Sequence, residues 1–102
     1  MTDRRRIVRQ PIDVFFNKYL DGAPYLCRSV DLSPRGMLAD VFGEPDELAD
    51  SFPLELQLCD DQPRIWVWAR RVRKDGKRQA FEFMAMDRDA TRRLDRFLFA
   101  PA

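Results

Sequence analysis

The stretch IWVWARRVRKDGKRQAFEFMAM, residues Ile65–Met86, holds two runs rich in β-branched and aromatic side chains, parted by a charged turn at Asp75-Gly76. Such side chains suit a half-buried pleated surface, and Asp-Gly readily takes the positive φ angles of a tight reversal. The segment therefore predicts a hairpin of Ile65–Val72 and Gln79–Met86. On its second arm Phe81 and Phe83 point one way, toward a core, and Ala80, Glu82 and Met84 the other. Trp66 and Trp68 share one face of the first arm and read as core or helix-packing residues. Past Met86 the period changes. Ala90, Leu94, Phe97 and Leu98 fall at i, i+4, i+7 and i+8, one stripe of an amphipathic helix. Asp87 is placed to cap that helix, and Asp89 suits the positive end of its dipole.

Working back toward the N-terminus, Leu54, Leu56 and Leu58 alternate with Glu55, Gln57 and Cys59, the pattern of a half-buried strand. Gly43–Phe52 is acidic and polar and reads as a loop with one helical turn. Met37–Phe42 is a short strand, preceded by a turn at Ser33-Pro34-Arg35-Gly36. Tyr25–Leu32 is another, with Leu26, Val30 and Leu32 on one face and Tyr25, Cys27 and Ser29 on the other. Ile12–Tyr19 precedes it, closed by the turn at Asp21-Gly22. Residues 1–10 lack periodicity and read as a flexible basic arm, leaving residues 11–99 as one folded domain. Six short strands and a terminal helix, without room for parallel crossovers, predict a mainly-β antiparallel barrel with a C-terminal α-helix.

Composition narrows the chemistry. The chain of 102 residues contains no histidine, which removes the commonest general base and every Ser-His or Cys-His pairing. Cys27 and Cys59 lie far apart and suit two reduced thiols better than a metal site, so neither an enzyme nor a metalloprotein is expected. No apolar run is long enough to cross a bilayer and no secretory signal is visible, so a cytoplasmic protein is expected. Charge is segregated. Arg4, Arg5, Arg6 and Arg9 face only Asp3, residues 40–63 contain no Lys or Arg, and Arg64–Arg78 turns basic again. Two basic segments can thus converge on one anionic ligand, while the acidic block between them argues against a nucleic-acid-coated protein.

Two short patterns stand out. Arg5-Arg6-Ile7-Val8-Arg9 is an R-x-x-x-R on the basic arm, and Asp31-Leu32-Ser33-Pro34-Arg35-Gly36 is a D-x-S-x-x-G ending the second strand. In this order and at this separation, followed by the Phe81-Glu82-Phe83 strand and the helix Arg92–Leu98, they resemble the PilZ domain family over nearly the whole chain. The resemblance implies a six-stranded barrel that binds the bacterial second messenger cyclic di-GMP through these two motifs, without a cofactor.

The residue chemistry agrees. Cyclic di-GMP offers two phosphates and two guanines, and guanidinium forks onto phosphate oxygens or onto guanine O6 and N7. Arg5 and Arg9 are the expected contacts on an arm that folds over the ligand, and ordering of that arm is the expected signal to a partner protein. Asp31 would accept from the guanine N1–H and N2–H₂ edge; Ser33 would bond a phosphate or fix the turn. Gly36 would admit the ligand to the backbone or take a positive φ. Arg4, Arg6 and Arg35 would add charge, and Trp68 would stack on a guanine. Arg4, just before the R-x-x-x-R, tilts the stoichiometry toward an intercalated ligand pair. Other readings stand beside this one: a solvated arm and an ordinary Asx or Ser turn, a PilZ-like adaptor that works by protein contact, or a small single-stranded nucleic-acid barrel using Trp66, Trp68 and the basic hairpin. Monomer and dimer are equally compatible with the sequence.

Overall fold

The computed structural model describes residues 12–45 and 49–99. The strands are β1 (Phe15–Leu20), β2 (Ala23–Ser33), β3 (Gly36–Val41), β4 (Ser51–Leu56), β5 (Ile65–Asp75) and β6 (Arg78–Ala85), followed by α1 (Arg88–Phe99). They close in the order β1-β2-β3-β6-β5-β4, and every neighbouring pair is antiparallel. Closure leaves no edge strand to template association. The turns fall where the sequence puts them, with Asp21, Gly22 and Gly76 at positive φ.

Alternation along the strands fills the barrel. β5 turns Ile65, Val67 and Ala69 inward, β4 Phe52, Leu54 and Leu56, and β3 Met37, Ala39 and Val41. The Phe81 ring meets those of Phe52 and Phe16 edge-on, at 5.4 and 6.4 Å between centroids. Ala90, Leu94 and Leu98 of α1 join this same core. The Asp87 carboxylate accepts from Ala90 N–H at 2.7 Å and caps the helix as the sequence predicts.

Four expectations are corrected. Trp66 and Trp68 are not core, because alternation places them outward at 50% and 47% exposure. Phe83 is only partly buried against the core, unlike Phe81. The faces of β2 are also reassigned. Cys27 and Ser29 point inward while Leu26 is exposed, and a bulge between Ser29 and Asp31 then reverses the parity so that Leu32 points inward. A strict two-residue period cannot register an inserted residue. The loop expected over Gly43–Phe52 ends at β4, which begins at Ser51, and its described residues 43–45 and 49–50 are not helical.

One polar cluster sits inside the fold. Lys18 on β1 is fully buried, its Nζ 4.2 Å from the Phe52 ring centroid. It donates to Glu44 Oε1 at 2.6 Å and to Gln79 Oε1 at 3.1 Å, and Gln79 Nε2 donates to the other Glu44 oxygen at 2.6 Å. Glu44 thereby fastens the chain after β3 to β1 and β6.

Candidate functional site

The D-x-S-x-x-G segment forms the β2–β3 connection on the outer wall of the barrel. Ser33 is buried; its hydroxyl donates to the Gly36 carbonyl at 3.2 Å and accepts from Arg35 N–H at 3.3 Å. Of its two expected roles, Ser33 therefore performs the turn-fixing one. Gly36 does not take a positive φ, a correction to that expectation, since only Gly22, Gly43 and Gly76 among the glycines do. Its reason is contact: a Cβ on Gly36 would lie 2.2 Å from the Phe81 carbonyl oxygen. The missing side chain lets β3 lie against β6 beside the motif.

Asp31 owes its direction to the bulge in β2. With Val30 as the extra residue, Ser29 pairs with Ala39 and Asp31 pairs with Leu38, on the outer face. The Asp31 carboxylate accepts from Leu38 N–H at 3.1 Å, which holds it over the β2–β3 ladder. Arg35 is exposed beside it, and its carbonyl accepts from Phe83 N–H at 2.8 Å.

Arg4, Arg5, Arg6 and Arg9 lie outside the described residues, but the point where their segment joins the barrel is well defined. Ser29, two residues before Asp31, accepts from Val14 N–H at 2.8 Å and donates its hydroxyl to the Ile12 carbonyl. The Arg28 guanidinium forks onto Asp13, with bonds of 2.6 and 2.5 Å. Residues 12–14 thus run alongside β2, two to three residues before Asp31. The buried Ser29 was not singled out from sequence; a lone polar residue on a presumed outer strand face gives no signal.

Trp68 lies on the same wall, two residues before Arg70, which pairs through Glu82 with Gly36. Half exposed, it is available to a flat partner. Trp66 belongs elsewhere: its ring is 5.2 Å from that of Tyr19, on the wall where an open groove of about 150 Å³ is lined by Phe15, Asn17, Leu26, Glu55, Gln57 and Arg64.

Electrostatics separate the buried groups from this wall. Burial pushes the Cys27 thiol up to about 12, so it is an inert core group, and both cysteines are free thiols. Burial also pulls the Lys18 ammonium below its ordinary value in spite of Glu44. Among the described residues no three or more His, Cys, Asp or Glu side chains group as metal ligands, and no helix is long and apolar enough to cross a membrane.

The structure is a closed six-stranded antiparallel barrel with one C-terminal helix, carrying a polar motif on its β2–β3 wall. The PilZ domain model matches residues 3–100, and the chain belongs to the PilZ domain family. Among solved structures it is similar to one described as the crystal structure of the PilZ domain of CeSA from a cellulose-synthesizing bacterium. That likeness has 20% identity, a TM-score of 0.69, and coverage of 90% of this chain and 95% of that one. No curated protein matches.

Proposed function

We propose that this chain is a receptor for cyclic di-GMP, binding it between the R-x-x-x-R segment and the outer wall at β2–β3. The observation that carries this reading is where the described chain enters the barrel, along the strand that bears Asp31. The bulge turns Asp31 outward, while Ser29 and Arg28 hold residues 12–14 along the same strand, two and three residues before it. Arg5 and Arg9 then fork onto phosphates or guanine edges, and Asp31 accepts from guanine N1–H and N2–H₂. Arg4, Arg6 and Arg35 add charge around the phosphates, and Trp68 offers a stacking surface. The role is one of binding without catalysis or cofactor, in the cytoplasm. Closure of residues 1–10 over the ligand is the change a partner protein reads.

Calorimetric titration with cyclic di-GMP tests this, with GTP and cyclic di-AMP as controls. Saturable binding to cyclic di-GMP alone is expected, in a stoichiometry of one or two, and Arg5→Ala, Arg9→Ala or Asp31→Ala should abolish it or weaken it at least tenfold, with melting unchanged in the two arginine variants. Absence of heat and of any thermal shift at high ligand would overturn the reading.

A second reading, an adaptor that acts by protein contact, draws on a different observation. Phe15, Leu26 and Trp66 stand 49–54% exposed on the outer faces of β1, β2 and β5, apolar surface open to a protein partner. Loss of partner recruitment in Trp66→Ser with nucleotide binding intact would favour it.

A further inference from the structure

Two β-bulges, on strands that never touch, turn two charged residues onto one row of the same wall. In β2 the inserted Val30 brings Asp31 opposite Leu38; without it Asp31 would carry inward parity, opposite Met37. In β5 the inserted Val72 does the same for Arg73: Arg71 pairs with the inward Phe81, and Arg73 then pairs with Ala80. Leu38 and Ala80 pair directly, so one row reads Asp31, Leu38, Ala80, Arg73 across β2, β3, β6 and β5. At the normal strand spacing its charged ends stand about 14 Å apart along the sheet, with two apolar residues as the floor between them. Bulges are a common means of re-aiming a side chain at a site. The one in β5 also leaves Val72 54% exposed, so the aim of Arg73 is not a by-product of burying an apolar residue.

Three neighbouring cations are engaged. Arg70 bonds Glu82 at 2.6 Å, Arg78 forks onto Asp40, and Lys77 lies over the Phe42 ring. Arg73 is exposed and makes no ion pair among the described residues. We propose that Arg73 is a nucleotide contact on the β5 side of the site, its guanidinium meeting a phosphate or guanine edge across the Leu38–Ala80 floor from Asp31. The assignment rests on the receptor reading above. Residues 12–14 run along β2 at one end of this row, and Arg73 stands at its other end, on β5.

The test compares wild type, Arg73→Ala, Arg73→Lys and Arg96→Ala, the last an exposed arginine of α1, by calorimetric titration with cyclic di-GMP at low and high salt. Losing a charge-assisted hydrogen bond should weaken Arg73→Ala about tenfold to a hundredfold. Arg73→Lys should recover part of that loss, and Arg96→Ala should bind as wild type. The affinity of Arg73→Ala should also fall less with salt, a change that mere loosening of β5 would not produce, and its melting temperature should equal wild type's. Wild-type binding matched within twofold by Arg73→Ala would overturn the assignment and leave the receptor reading standing. No binding by wild type would overturn the receptor reading itself, and this assignment with it.

Discussion

Gly36 shows how much one missing methyl group can decide. Its Cα sits where any Cβ would press against a backbone oxygen, that of Phe81, and backbone on a paired strand has little room to yield. Gly36→Ala should therefore cost about 1–3 kcal/mol, the range of overpacked sites. Urea denaturation measures it directly, and wild-type stability in that variant would mean the β3–β6 approach relaxes freely. The motif made Gly36 legible as a constrained position and misdirected its cause. Both positive φ and ligand approach were readable possibilities, whereas the carbonyl that imposes the constraint lies on another strand, at Phe81. Ser33 fared better, since a hydroxyl two residues before Arg35 and three before Gly36 reaches its partners through purely local geometry.

At the scale of elements, the helix was the easiest to read. Its stripe of Ala90, Leu94 and Leu98 repeats at four residues, and Asp87 stands where a cap belongs. Leu94→Ala removes a side chain 2% exposed in the shared core and should destabilise by about 2–5 kcal/mol. Asp87→Ala should cost only about 1 kcal/mol, because a cap bonds one terminal N–H while Leu94 ties the helix to the barrel. Thermal melts of both variants rank the two effects, and the reverse order would show that α1 is only loosely docked. β4, with its unbroken alternation, was equally readable, whereas the outward tryptophans of β5 read as core because large aromatic rings favour burial. β2 and the end of β5 were not readable, because each contains a bulge. Apolar spacing suggested Leu26, Val30 and Leu32 as one face, yet the inserted Val30 shifts every later residue by one parity step.

For the molecule as a whole, the segregated charges of the sequence turn out to meet in space. Residues read as a solvated acidic loop include Glu44, which reaches the fully buried Lys18. Burial alone would raise the Glu44 carboxyl, but hydrogen bonds from Lys18 and Gln79 outweigh it and hold the group below its ordinary value of 4.5. A carboxylate depressed in the folded state stabilises the fold fully above its unfolded value, and that contribution is lost as the pH falls through the folded value. Stability should therefore fall as the solution is acidified below about 4.5, and Glu44→Gln should flatten that limb. The Arg78 fork on Asp40 supplies a further part of the limb in both proteins. At neutral pH, Lys18→Met or Glu44→Gln alone should cost about 3 kcal/mol by leaving one buried charge unpaired, and the double variant should recover most of it. Denaturation of the four proteins closes the cycle, and additive losses would refute the coupling.

What the sequence alone determined were the features written in neighbouring residues: the alternation of β4, the stripe of α1, the turns at Asp21-Gly22 and Asp75-Gly76, and the two motifs that place the chain among PilZ domains. Each follows from local sterics or from which face of an element is apolar. Only the tertiary structure decided the outward aim of Asp31 and Arg73, the burial of Lys18, the exposure of both tryptophans and the reason for Gly36. These depend on which strand lies alongside and in what register, and the partners that set it are up to 61 residues away, as between Lys18 and Gln79.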